Sequence, residues 1–176
     1  MIIGITGLAR SGKDTTADYL TKKFVMTHLD FARDALFAEA DKRKTPKDKM
    51  SLSVLGDELR KESGRGVLAK IIASKMEEGK DYVVTGFRSP EEVDIIRNSF
   101  VDDFFLVEIS AEKLTRYGRK KADDPQSMNE FFERDTRDIH NKGLGDVLKM
   151  CDEKIENNGS LDELYLKLDE TMKKLK

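Results

Sequence analysis

The stretch Gly7-Leu8-Ala9-Arg10-Ser11-Gly12-Lys13-Asp14-Thr15 carries two glycines five positions apart and a lysine directly after the second. Holding a triphosphate requires several backbone N–H groups turned toward one anion, and a long cationic side chain that reaches its outer phosphates. Gly7, Ala9, Arg10, Ser11, Gly12 and Lys13 have the types and spacing of such a phosphate-binding loop. The next position is normally a Ser or Thr whose hydroxyl holds magnesium. Here it is Asp14, with Thr15 following. These two residues are the hard oxygen donors open to a magnesium ion. An acid in the first turn of a helix also complements its dipole, so capping is the alternative role for Asp14.

Arginines supply the rest of the chemistry, because their planar fork and permanent charge suit phosphate. Thr85-Gly86-Phe87-Arg88 follows a short apolar run, and the carboxyl end of a strand is where ligands bind in open α/β sheets. Arg88 is therefore a candidate phosphate ligand. Arg116 and Arg119 stand at i, i+3, and Arg134 and Arg137 repeat that spacing. Two helices joined by the polar turn from Ala122 to Gln126 would set these four as a cationic clamp. Lys120 and Lys142 rank below them. His28 and His140 stand in no ligand spacing and Cys151 has no thiol partner, so packing or surface roles are expected for them. Met26, Met50, Met76 and Met150 are expected in the core.

These residues need elements to position them. Ile2 to Thr6 reads as a β-branched strand, and a helix with an Ala17, Leu20 and Phe24 stripe should run from Asp14 to Lys23. A short strand is expected over Val25 to Leu29. Helices follow over Asp34 to Lys44, Met50 to Ser63 and Val67 to Glu78, broken by Pro46 and punctuated by Gly64 and Gly79. Strands are expected over Tyr82 to Thr85, Phe104 to Ile109 and Glu153 to Glu156. Ser89-Pro90-Glu91-Glu92 predicts a capped helix start, and Ser127 and Ser160 repeat the pattern. Strands alternating with helices predict a doubly wound α/β fold with a five-stranded parallel sheet and helices on both faces.

The chain of 176 residues matches one domain in size, and no linker or repeat divides it. Charged residues make up 38% yet leave a formal net charge of −2, so no nucleic acid and no anionic membrane is predicted as partner. One cysteine, no leader at the N-terminus and no long apolar run make a cytoplasmic protein the expectation. Oligomeric state stays open.

With its loop reading Ser-Gly-Lys-Asp-Thr ahead of an amphipathic helix, the chain resembles phage-type deoxynucleoside monophosphate kinases. In layout it is similar to archaeal proteins related to adenylate kinase and dephospho-CoA kinase. The resemblance covers nearly the whole length. It implies a three-layer P-loop NTPase fold, an acceptor-binding helical region over about residues 31–66 and a lid over about 116–145. It also implies ATP as phosphoryl donor, Mg2+, and a small-molecule phosphate acceptor. Phe31, Arg33, Arg60, Gly86 and Arg88 take the acceptor role, with the Gly64-Arg65-Gly66 turn nearby. Thr85-Gly86-Phe87-Arg88 resembles the motif that grips the acceptor's phosphate. Lys13, Arg88, Arg116, Arg134 and Arg137 take the catalytic role, and Arg119 and Asn157 the donor nucleotide. Such kinases often carry an acid where Thr85 stands, and Asp14 could take over part of that work. Nucleoside or deoxynucleoside monophosphates are the expected acceptors. Dephospho-CoA and a nucleotide-binding switch without efficient transfer are the alternatives.

Overall fold

The strand that opens the chain, β1 (Ile2–Thr6), is buried at every position, and so is β3 (Tyr82–Thr85). Such unbroken apolar runs belong to strands covered on both faces. A computed structural model, which describes residues 1–140 and 143–175, sets both inside one five-stranded parallel sheet. The order is β2-β3-β1-β4-β5, with β2 at Thr27–Asp30, β4 at Phe104–Ser110 and β5 at Glu153–Glu156. The edge strand β5 buries Ile155 and exposes Lys154 and Glu156, charges that blunt an open edge.

Helix α1 (Lys13–Phe24) joins β1 to β2. A π-helical turn (Phe31–Leu36), α2 (Phe37–Arg43), α3 (Lys49–Ser63) and α4 (Val67–Ala73) lead to β3. Next come α5 (Pro90–Ser99), β4, then α6 (Lys113–Gly118), α7 (Met128–His140) and α8 (Leu144–Lys149), and α9 (Leu161–Lys174) closes the chain. Ala17 and Leu20 of α1 pack with Leu164 and Leu168 of α9 on one face of the sheet, against Ile3, Ile5 and Val107. Leu36, Leu55, Leu68, Ile72, Ile96 and Val147 fill the other face against Val84 and Leu106. The chain turns from one side of β1 to the other between β3 and β4. Ligand crevices form at that switch point, at the carboxyl ends of the strands.

The predicted caps at Ser89, Ser127 and Ser160 are present, with a reciprocal Ser89–Glu92 capping box. Several expectations need correction. The helix expected to reach Glu78 stops at Ala73, where the Ser74 hydroxyl donates to Ile71 O and the next N–H groups bond three residues back. The helical segment expected from Asp34 begins at Phe31, because the Asp30 carboxylate accepts from the Ala32 and Arg33 N–H groups. Met50 is no core residue. It is 79% exposed on the first turn of α3. Lys142 lies outside the described residues. Cys151 packs at the edge of the core, where burial pushes its thiol up to about 12.

Candidate functional site: a phosphate loop braced by distant residues

Gly7 and Gly12 bend the chain between β1 and α1 with φ of 140° and 110°, conformations that glycine adopts without penalty. Each is also crowded: a Cβ on Gly7 would sit 2.2 Å from Ile109 O, and one on Gly12 would sit 2.3 Å from Asn157 Nδ2. Asn157 is buried at the end of β5, and its amide donates to Ser11 O at 2.8 Å. Arg119 Nη1 donates in turn to Asn157 O at 3.0 Å. The loop is therefore braced from the far side of the sheet. Ser11 is buried, and its Oγ has no hydrogen-bond partner among the described residues.

Lys13 opens α1 and folds back to donate to Leu8 O at 2.8 Å. Burial pulls its pKa from 10.5 to about 8. The nearby charges of Asp14 and Asp138 oppose that fall, and those of Arg116 and Arg134 add to it. Two guanidinium charges, those of Arg116 and Arg134, thus stand within electrostatic reach of Lys13 at the loop. Asp14 is exposed. The helix N-cap is Gly12, which leaves α1 with no side-chain cap bond.

Arg116, Arg119, Arg134 and Arg137 do not form the open clamp that spacing predicts. Arg116 is 1% exposed and makes a forked pair with Asp135, Nη1 to Oδ1 at 3.1 Å and Nη2 to Oδ2 at 2.6 Å. Its Nη1 also donates to Ala9 O, and its Nε to Ala111 O. This one side chain ties the loop, β4's exit and α7 together. Helix α6 ends at Gly118, so Arg119 lies beyond it and points to Asn157 instead. Arg134 donates Nη1 to Asp124 Oδ1 at 2.7 Å and lies over the Phe131 ring. Arg137 is exposed on α7 and has no ion pair among the described residues. The structure therefore gathers Arg10, Arg116 and Arg134 at the loop and leaves Arg137 out.

Among the residues expected to meet an acceptor, Arg60 is committed to a brace as well. Its guanidinium donates to Glu92 Oε1, and Glu92 Oε2 receives the Arg88 and Ser89 N–H groups. Glu92 is 0% exposed, so this pair shapes the turn after β3 from below. Arg33 is half-exposed and bonds Asp34 and His28 O. Gly86 (φ 100°) lies against Phe31, whose buried ring meets that of Phe87 at 5.0 Å. Arg88 is exposed, and its side chain makes no ion pair among the described residues.

Sequence reasoning missed Asp30. It is an acid at the end of the neighbouring strand, in register with Thr85. Thr85 donates its hydroxyl proton to Asp30 Oδ2 at 2.8 Å. A hydroxyl has one proton, so His28 Nε2 must be the donor in its 2.8 Å contact with Thr85 Oγ1, which leaves Nδ1 as an acceptor. Burial, aided by the Arg33 charge, lowers the His28 pKa and favours that neutral ring. The available signal was the polar alternation His28-Leu29-Asp30 at a strand's carboxyl end.

Residues 3–139 match the family described as an AAA domain. A UPF0200 protein from Pyrococcus abyssi is 32% identical over 184 residues, covering 99% of this chain and 97% of the relative. One from Pyrococcus horikoshii is 30% identical over 186 residues, covering 99% and 97%. The chain belongs to the AAA-domain family and to the UPF0200 proteins. Among solved structures, shikimate kinase from Aquifex aeolicus aligns with a TM-score of 0.59 at 15% identity, covering 98% of this chain and 96% of that one. Shikimate kinase from Bacteroides thetaiotaomicron aligns with a TM-score of 0.63 at 11% identity, covering 99% and 98%. Identities this low speak for the fold alone, which is that of the P-loop kinases.

In this UPF0200 chain the exposed Asp14 carboxylate and the Thr15 hydroxyl are the hard oxygens at the start of α1, of the chemistry that a magnesium ion takes. No side chain is spent on capping the helix start, and hard oxygens are what the ion prefers. Among the described residues no three acids, histidines or cysteines cluster as a metal cage. One or two protein oxygens completed by phosphates and water are the usual magnesium arrangement. A cavity of about 470 Å3 opens beside the loop, lined by Leu8, Lys113, Asn129, Phe132, Thr136 and His140 among others. Among the described residues, no helix of the UPF0200 chain is long and apolar enough to cross a membrane.

Proposed function

We propose that the chain is an ATP-dependent phosphotransferase whose acceptor is a nucleoside or deoxynucleoside monophosphate. The observation that carries this reading is the meeting of Lys13, Arg116 and Arg134 charges at one glycine-bent loop. Phosphoryl transfer asks for positioning and positive charge more than covalent help. In this reading the loop N–H groups and Lys13 hold the β- and γ-phosphates, Arg134 neutralises charge on the moving group, and Arg88 holds the acceptor's phosphate. Arg116 supports the lid through Asp135 and adds its charge from behind the loop. An acceptor phosphate oxygen is already anionic near neutral pH, so this reaction needs no base. Magnesium, held by Asp14 and Thr15, would supply charge neutralisation on the phosphates.

The test is incubation with ATP, magnesium and a panel of monophosphates, deoxy-monophosphates and dephospho-CoA, followed by chromatography of ADP and product. Turnover on a monophosphate supports the proposal. Tight ATP binding without acceptor-dependent ADP overturns it in favour of a nucleotide switch. Asp14→Asn is expected to raise the magnesium concentration needed for half-maximal rate by about tenfold, the size of one lost charge-assisted contact. An unchanged requirement would remove Asp14 from the metal site.

Lys13 makes binding pH-dependent with a definite sign. The free protein loses the Lys13 proton as pH rises through about 8. A bound triphosphate favours the charged amine and raises that pKa again. Triphosphate affinity should therefore fall above pH 8, and binding near pH 8.5 should take up a fraction of a proton. Calorimetry in two buffers of different ionisation enthalpy measures it. Zero uptake would mean that Lys13 does not meet the phosphates.

A hydroxyl acceptor, of the dephospho-CoA type, is the second reading. The specific observation in its favour is the Asp30–Thr85–His28 chain at the acceptor-side strand ends, because a hydroxyl must give up a proton and here basic groups stand ready.

A further inference from the structure

Asp124 lies in the turn between α6 and α7, and its side chain is 1% exposed. Its Oδ2 accepts from Arg10 Nε of the loop and from the Lys121 N–H, and its Oδ1 accepts from Arg134 Nη1. Burial alone would raise its pKa. Those three donors outweigh that and hold the carboxyl well below the usual range. Arg134 is fixed from two sides, by this bond and by the face of Phe131 beneath it. Its Nε and Nη2 are buried and have no hydrogen-bond partner among the described residues. Those two N–H groups form one edge of the guanidinium fork, the edge that takes two oxygens of one oxyanion. Buried donors left unmatched carry a desolvation cost that an incoming oxyanion removes. Lys13 feels the charge of this same guanidinium.

We propose that Asp124 is a positioning residue: it clasps the lid to the loop through Arg10 and turns the Nε–Nη2 edge of Arg134 to receive the terminal phosphate of a nucleoside triphosphate. The proposal rests on the phosphotransferase reading and adds to it the device that orients the lid arginine before the nucleotide arrives. Because the clasp is already closed in the free protein, binding spends nothing on ordering this arginine. A second phosphate-bearing end, that of a diphosphate, would leave the edge unmatched.

The experiment is calorimetric titration of the full chain with magnesium and either the imido analogue of ATP or ADP, for native protein, Asp124→Asn, Arg134→Lys and the double variant. The readout is the ratio of the ADP to the analogue dissociation constant. A purely structural role would weaken both nucleotides together and leave that ratio alone. Asp124→Asn and Arg134→Lys are each expected to lower the ratio by about tenfold, the effect of one lost charge-assisted contact. The double variant should match Arg134→Lys within twofold, since Asp124 acts through Arg134. A native-like ratio in Asp124→Asn, or full additivity in the double variant, overturns the clasp. Should Asp124→Asn not fold, a native-like ratio in Arg134→Lys overturns it equally. If the native protein binds both nucleotides and only the ratio test fails, the phosphotransferase reading stands without the clasp. If it binds neither, both fall.

Discussion

Lys13→Ala is expected to lower phosphoryl transfer by about three orders of magnitude while leaving the protein as stable as before, or more so. The loss follows from removing the preorganised cation at the phosphates, the kind of contact whose deletion costs roughly a hundred- to a thousandfold. The stability follows from the same burial that pulls the Lys13 pKa to about 8. Between pH 8 and 10.5 the unfolded chain binds this proton and the folded chain does not, so stability gains with rising pH across that window. Below pH 8 the folded protein carries a charge it holds unwillingly, and alanine relieves it. Thermal denaturation at pH 7 beside a transfer assay separates the two effects. A rate within twofold of native would show that the loop does not hold the transferred phosphate. A melting temperature that falls by more than a few degrees would show that the Lys13–Leu8 contact stabilises the loop more than burial of the charge costs.

Asp135→Asn is expected to be the most destabilising single change near the site. It strands the Arg116 guanidinium, 1% exposed, with its charge uncompensated. Breaking a buried pair from one side costs about 3–5 kcal/mol. For a chain of this length each kcal/mol moves the melting temperature by roughly 2–4 °C. A fall on the order of 10 °C should therefore be seen by calorimetry or circular dichroism. Exchanging both partners for apolar residues, Arg116→Met with Asp135→Leu, should recover part of it: no lone charge is left buried, but Ala9 O and Ala111 O lose their donor. A single-variant shift below about 2 °C would mean that water reaches the pair. Since Arg116 also holds Ala9 O, the variant should bind nucleotide more weakly at temperatures where it is still folded.

Much of the fold was legible because its signals are local. Strands β1, β3, β4 and β5 lie over the runs expected for them, and the three serine caps begin the helices they were expected to begin. Strand β2 starts at Thr27 instead of Val25, because Val25 turns left-handed (φ 57°) as the C-cap of α1. The loop was legible for the same reason, since the letters Gly7, Gly12 and Lys13 describe bends and reach over a few residues. Helix ends were less so. Helix α4 stops early because Ser74 turns its hydroxyl onto Ile71 O, a bond that competes with the next helical turn.

The arginines divide the two kinds of knowledge most sharply. Sequence alone determined the fold class, the phosphate loop and the supply of cations, for these depend on periodicity, backbone freedom and charge type. Only tertiary structure decided which cations remain available. Arg60 is taken up by Glu92, Arg116 by Asp135 and Arg33 by Asp34, while Arg88 stays exposed and Arg134 keeps one edge unmatched. It also brought an acid that the sequence reading passed over, Asp30, into register with Thr85 and into hydrogen-bond contact with it. The reason is physical. A charged side chain's role is set by which opposite charge comes within about 3 Å. Arg10 meets Asp124 across 114 positions of sequence, and Asn157 meets Ser11 across 146. No local pattern records such a meeting; it follows from where the sheet and the turn between α6 and α7 bring the chain back to itself.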